Sequence, residues 1–324
     1  MTTLTIWTNA QFADAPRAQL LEGVGSHRLI FSTQLSASNL VKAAPDPALL
    51  GADVAFGQPD PDLTLQSTRL RWIQLTTAGY TRYDVPAFRA GFGGRGGQLT
   101  NSSGVYDEPC AEQVLAFMLA QARQLPASHE SQRTDHGWPH LARRARCRLL
   151  LGQNVVLLGF GAIGRRLAEM LAPFGMNVTA VRRKPAGDEN VRVVTEEQLG
   201  AALASADHVV NILPENPATL GLVNTARLAA LKPGATFYNV GRGTTVDQDA
   251  LLAALVSGHL AAAWLDVTDP EPLPPEHPLW TAPNCFITPH TAGGHDDESQ
   301  RLVRHFLANL RRFESSGELL DRVI

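Results

Sequence analysis

A doubly wound α/β domain inserted into a smaller α/β domain, the latter built from both chain ends, is the architecture predicted for this 324-residue chain. Three observations predict it. Short apolar runs alternate with helical patterns in two separate blocks, the pattern of parallel sheets with crossover helices. The second block opens on a glycine-rich turn with about 150 residues ahead of it, the size of a whole domain. A final helical pattern, Glu298 to Phe313, follows that block. The expected limits are 1–100 with 295–324 for the smaller domain and 101–294 for the larger.

In the first block, Leu4–Trp7, Val54–Phe56, Trp72–Leu75 and Gln98–Thr100 read as strands, and Ser36–Lys42 and Val85–Arg89 as helical pieces. Gly91 to Gly97, five glycines in seven residues, reads as a flexible turn. Glu108 to Arg123 reads as one long amphipathic helix with Val114, Leu115, Phe117 and Met118 clustered on one side. Between Pro126 and Arg148 the chain turns polar and basic and reads as a connecting excursion.

In the second block, strands are expected at Asn154–Leu158, Asn177–Val181, Val191–Val194, His208–Leu213, Thr236–Val240, Ala262–Val267 and Cys285–Thr288. Helices fit at Ile163–Leu171, Glu196–Ala204, Thr225–Leu231 and Gln248–His259. Asp269 to Pro278, rich in proline and acid, must be a loop.

Composition narrows the function classes. With 44% hydrophobic and 18% charged residues the chain can pack cores and is not disordered. A net charge of −3 gives no reason to expect nucleic acid. The three cysteines, Cys110, Cys147 and Cys285, are far apart and in no metal-ligand spacing, so a reducing compartment and no metal site are expected. The first residues lack the basic-then-apolar pattern of a signal peptide, and no apolar run reaches the ~18 residues that span a bilayer. A cytoplasmic protein with no membrane partner is the expectation.

The turn Gly159-Phe160-Gly161-Ala162-Ile163-Gly164 follows a strand and opens a helix, the context that gives G-x-G-x-x-G its meaning. Gly159 permits the tight turn, Gly161 lets a pyrophosphate approach the backbone, and Gly164 lets helix and strand pack closely. Free N–H groups at the helix start, including those of Ala162 and Ile163, then face the anion. The larger domain is therefore read as a Rossmann cofactor domain, and the smaller α/β domain is expected to be flavodoxin-like. Where an NAD site wants an acid at the end of the next strand, this chain has Arg182-Arg183-Lys184, cations suited to a 2′-phosphate. Asp188 and Glu189 come later, past the expected strand end. NADP(H) is the expected cofactor, with NAD(H) possible.

Three further residues lie at carboxyl ends of strands, where an open parallel sheet presents its ligand crevice. Arg242, between Gly241 and Gly243, offers a planar fork for a carboxylate and an adjacent ketone. His290 is suited to donate a proton near neutral pH. Glu271 is its candidate partner, since a carboxylate beside an imidazole favours the protonated, donating form. Singly, each has a plainer reading: a structural ion pair, a capping histidine, a solvated loop acid. Three of them on three strand ends of one sheet favour a site.

Together, Leu151-Gly152, the glycine turn, Asn239-Val240-Gly241-Arg242-Gly243, Leu265-Asp266-Val267, Glu271-Pro272-Leu273 and Thr288-Pro289-His290 resemble the D-isomer-specific 2-hydroxyacid dehydrogenase family, on its NADPH-preferring glyoxylate/hydroxypyruvate reductase side. The resemblance runs from about Leu75 to Gly294. It implies Arg242 on the 2-keto acid, His290 as acid/base and Glu271 tuning it. It also implies Asp266 on the nicotinamide carboxamide, with Val240 and Gly241 alongside, and Leu213-Pro214 lining the adenosine side. Thr77-Ala78-Gly79-Tyr80 resembles the loop whose backbone N–H groups hold the substrate carboxylate, here those of Ala78 and Gly79. A homodimer is implied through the long helix 108–123. Thr268 departs from the aromatic residue that often follows the Asp-Val pair.

Two other functions are compatible with these motifs: a cofactor-gated corepressor-like binding protein, and an NAD-linked formate- or phosphite-type dehydrogenase. Trp138 reads equally as a residue over the substrate or a packing anchor. Arg143, Arg144, Arg146 and Arg148 read as a solvated or subunit-contact surface, and Cys110 as a small buried residue.

Overall fold

The computed structural model describes residues 3–36, 44–183, 185 and 187–324. Helical and extended segments follow in order as β1 (Thr5–Ala10), α1 (Asp14–Gly23), β2 (Arg28–Ser36), β3 (Val54–Phe56), α2 (Pro61–Gln66), β4 (Trp72–Gln74), α3 (Pro86–Gly91), β5 (Gln98–Thr100) and α4 (Ser103–Ala122). Next come α5 (Leu125–Arg133), α6 (His140–Arg146), β6 (Asn154–Leu158), α7 (Ala162–Leu171), β7 (Asn177–Val181), β8 (Arg192–Val194), α8 (Leu199–Ser205) and β9 (His208–Asn211). The chain closes with α9 (Thr225–Ala229), β10 (Thr236–Asn239), α10 (Gln248–Val256), β11 (Ala262–Leu265), β12 (Cys285–Ile287) and α11 (Glu298–Glu314).

Two compact units result, Met1–Tyr106 with Gly294–Ile324, and Asp107–Gly293. The first holds a parallel sheet in the order β2-β1-β3-β4-β5, the flavodoxin-like order. Its buried core includes Trp7, Leu49, Ile73, Tyr83, Phe88 and Phe92. The chain's end completes this unit: Phe306 of α11 stacks on Phe56 at 4.3 Å and on Trp72 at 5.4 Å. The Val323 N–H also donates to the Leu99 carbonyl at 2.8 Å, and the Leu99 N–H to the Ile324 carbonyl at 3.1 Å. Burying a side chain such as Phe306 stabilises by about 1.5–3 kcal/mol, so the first hundred residues need the C-terminal helix to close their core.

The second unit carries seven parallel strands in the order β12-β11-β10-β9-β6-β7-β8. The order reverses between β6 and β9, the switch point at which doubly wound sheets bind ligands. Its central strands β6, β9, β10 and β11 are buried on both faces, which is why β6 reads as the continuous apolar run Val155-Val156-Leu157-Leu158. The doubly wound and flavodoxin-like classes are both as the sequence predicted.

Several elements differ from the sequence expectation. α1 and β2 were not expected; Ser36 ends a strand rather than starting a helix, and 37–42 lie outside the described residues. α1 escapes notice because its apolar positions are sparse, only Pro16 and Leu20 being buried. The supposed excursion 126–148 contains α5 and α6, which bury no residue and so lack an apolar stripe. α4 begins five residues early and carries Pro109 in its first turns. The glycine run after α3 forms a short 3₁₀ turn at Gly93–Arg95.

Candidate active site

The glycine turn joins β6 to α7 with Gly161 at the helix N-cap. Gly159 has φ +100°, a conformation that side chains resist. A Cβ on Gly164 would come within 2.9 Å of the Gly159 carbonyl oxygen, which makes this position a packing requirement. A Cβ on Gly161 would meet nothing within 4 Å, so that face of the turn is open. Ala162 and Ile163 begin the helix, where N–H groups have no intrahelical acceptor. This cradle fits a dinucleotide pyrophosphate.

Past β7 the picture is more mixed than three unopposed cations. Arg182 is held by Glu189, Nη1 to Oε1 2.6 Å, and Arg165 by Asp188 at 2.9 Å. Among the described residues Arg183 makes no ion pair, and Lys184 lies outside them. Glu189 is thus no bystander beyond the strand, because its carboxylate reaches Arg182.

At the other strand ends, Arg242, Glu271 and His290 form a cluster. Gly243 explains how the first two loops meet: a Cβ there would lie 2.0 Å from the Thr268 carbonyl, so only glycine lets the Arg242 turn press on the turn before Glu271. Gly241 packs likewise on the backbone of Leu213, next to Pro214. A buried polar network clamps the Arg242 backbone. Thr245 Oγ1 donates to its carbonyl at 2.6 Å and Asn239 Nδ2 at 3.2 Å, while Asn211 Nδ2 donates to both Asn239 and Thr245. The Arg242 guanidinium donates to the Gly241 carbonyl and forms no ion pair among the described residues, so it is not a structural salt bridge. Asn211 and Thr245 were not singled out from sequence, and Asn239 only as the first residue of the run that holds Arg242; the signal for the two asparagines was a polar side chain at the end of a buried strand, whereas Thr245 lies in the short turn after Arg242.

Glu271 Oε2 lies 2.8 Å from His290 Nδ1, and Oε1 accepts the Thr268 N–H at 3.1 Å. An ionised carboxylate only accepts, so Nδ1 carries the hydrogen and Nε2 is the atom left to exchange a proton. Burial pushes the Glu271 carboxyl up, but the His290 hydrogen bond and charge, the Thr268 N–H and Arg242 outweigh it and hold the group below the usual range. His290 itself sits at φ +53°.

The carboxylate of Asp266 brackets that histidine. It accepts Thr288 Oγ1 at 2.5 Å and the backbone N–H groups of Thr291 and Ala292, each at 2.9 Å. The Asp266 carbonyl accepts the His290 N–H at 2.8 Å.

Residues 115–292 match the model of the D-isomer specific 2-hydroxyacid dehydrogenase NAD-binding domain. The chain belongs to the D-isomer specific 2-hydroxyacid dehydrogenase family. It is 37% identical over 232 residues to the glyoxylate reductase/hydroxypyruvate reductase of Mus musculus, covering 69% of this chain and 70% of that one. A protein of Corynebacterium melassecola, uncharacterized, is 33% identical over 83% of this chain and 87% of its own. A family member from Xanthobacter autotrophicus Py2, solved with NADPH and MES, superposes with a TM-score of 0.81 at 29% identity, over 100% of this chain and 98% of that one. The NADPH-dependent glyoxylate/hydroxypyruvate reductase of Sinorhizobium meliloti, with NADP and sulfate bound, gives a TM-score of 0.80 at 26% identity, covering 99% and 98%.

Membership makes this protein an NAD(P)-dependent oxidoreductase. The Thr268 side chain is buried and donates to the Pro270 carbonyl at 3.0 Å, which ties this turn to itself without an aromatic side chain. In the first unit, the Ala78 carbonyl accepts from Asn101 and the Gly79 carbonyl from Thr77, both at 2.7 Å, whereas their N–H groups have no partner among the described residues. The Cys110 thiol is pushed up to about 12, first by burial and then by Asp266, against the pull of Arg242, so it is an inert packing residue. Among the described residues no group of three His, Cys, Asp or Glu is placed to hold a metal, and no helix is long and apolar enough to cross a membrane.

Proposed function

We propose that the protein reduces a small 2-keto acid of the glyoxylate/hydroxypyruvate type to a D-2-hydroxy acid, with NADPH preferred over NADH. The observation that carries the reading is the Glu271–His290 pair beside an arginine with no ionic partner among the described residues. Arg242 binds the substrate carboxylate and polarises the ketone, and by family likeness the N–H groups of Ala78 and Gly79 are assigned to the same carboxylate. His290 Nε2 gives its proton to the ketone oxygen, while Glu271 keeps Nδ1 protonated and the ring oriented. When bound, the nicotinamide cofactor supplies the hydride.

Gly159, Gly161, Ala162, Ile163 and Gly164 are assigned to the pyrophosphate, Leu213 and Pro214 to the adenosine side, and Val240, Gly241 and Asp266 to the nicotinamide side. Arg182 and Arg183 are assigned to the 2′-phosphate. A homodimer built on α4 and the α5–α6 arm fits the exposure of Leu125, Trp138, Leu141, Leu149 and Leu151. Three free thiols agree with a reducing, cytoplasmic setting.

The deciding experiment is a steady-state matrix of NADPH and NADH against glyoxylate, hydroxypyruvate, an aryl pyruvate, formate and phosphite. Turnover of 2-keto acids with higher kcat/KM for NADPH is expected. Equal values with both cofactors would refute the role of Arg182 and Arg183, and turnover of formate or phosphite alone would refute the reductase.

A further inference from the structure

We propose that Glu189 is a charge clamp on Arg182 that restrains the protein's selectivity for the 2′-phosphorylated dinucleotide. The inference rests on the assignment of Arg182 and Arg183 to the 2′-phosphate and deepens it by naming the residue that sets its strength.

The clamp is built, not incidental. Glu189 Oε1 holds Arg182 Nη1 at 2.6 Å, and Oε2 accepts the Gly187 N–H at 2.8 Å. Its side chain is 3% exposed, whereas that of Arg182 is 26% exposed. A carboxylate fixed by a backbone donor and withdrawn from water cannot swing away cheaply when an anion arrives. Arg165 is likewise matched by Asp188. Of the three arginines at this edge of the sheet, two are therefore offset by acids, and Arg183 is the one without an ion pair among the described residues.

The consequence follows from charge. A phosphate approaching Arg182 shares a guanidinium already bonded to a carboxylate, and it meets that carboxylate's like charge in the partly water-excluded surroundings. A ribose hydroxyl carries no charge and is indifferent to the pair. Glu189 therefore taxes NADP(H) and leaves NAD(H) nearly untouched. It gives the chain a milder preference than its Arg-Arg sequence advertises.

The test is a set of fluorescence titrations giving Kd for NADP+ and NAD+ with wild type, Glu189→Gln, Arg182→Gln and the double variant. Glu189→Gln keeps an acceptor for Arg182 and removes the charge. It is expected to tighten NADP+ about tenfold, the scale of one charge-assisted hydrogen bond discounted for partial exposure. NAD+ should move by less than about twofold, and the gain should vanish in the Arg182→Gln background. Should Glu189→Gln fail to fold, Glu189→Asp, which withdraws the carboxylate by one methylene, is expected to tighten NADP+ by about threefold. Unchanged or weaker NADP+ binding in the folded Glu189 variant overturns the clamp. So does an equal gain without Arg182, or an Arg182→Gln variant that binds NADP+ as wild type does. A wild type inert toward every keto acid sinks the reductase alone, because these titrations need no turnover.

Discussion

Glu271 reaches His290 with one carboxylate oxygen at 2.8 Å and the backbone N–H of Thr268 with the other at 3.1 Å. One acid thereby fixes both the tautomer of the histidine and the turn that positions the acid itself. The arrangement leaves a single ring nitrogen for proton exchange, and the first prediction concerns that atom.

His290→Asn should lower kcat by about 10²- to 10⁴-fold, the usual contribution of a general acid. Asparagine tolerates the left-handed backbone at this position better than most residues, so the fold and the cofactor Kd should persist. Stopped-flow turnover and fluorescence titration check both. Undiminished turnover would remove His290 from the chemistry.

The depressed Glu271 carboxyl makes a pH prediction for stability. A carboxyl held below its unfolded value contributes stability above that value and loses it as pH falls through the folded one. The stability gap between wild type and Glu271→Gln should therefore be widest near neutrality and close below about pH 4.5. Urea unfolding at a series of pH values measures it, and a gap that widens in acid would contradict the assignment.

Asp266→Asn removes an acceptor from a turn that uses both carboxylate oxygens. Each hydrogen bond to a charged group is worth about 1.5–3 kcal/mol. A fall of several degrees in Tm is expected, with a loss in kcat, since the turn from Thr288 to Ala292 carries His290. Calorimetry showing an unchanged Tm would mean that the turn holds itself.

The α5–α6 arm exposes Trp138 by 89% and Leu141 by 72%. The proposed homodimer would cover these surfaces, so Leu141→Glu with Leu149→Glu should convert dimer to monomer in sedimentation velocity. A wild-type protein sedimenting as a monomer would refute the dimer outright.

The amino-acid sequence by itself determined the parallel α/β architecture, because strands buried on both faces must be written as apolar runs such as Val155 to Leu158. It also determined the glycine turn and the three reactive residue types at strand ends, because backbone clearance and ionisable groups are local properties. The tertiary structure alone decided what those residues touch. Gly243 proved to be spacing for Thr268, Asp266 a bracket around His290, and Glu189 a partner of Arg182 rather than a bystander. The helices of the arm were equally illegible, since a helix that buries nothing in its own chain leaves no apolar period to read. For Gly243, Asp266 and Glu189 the physical reason is the same: a side chain's partner is chosen by where loops return in space, and sequence separation carries no record of that return.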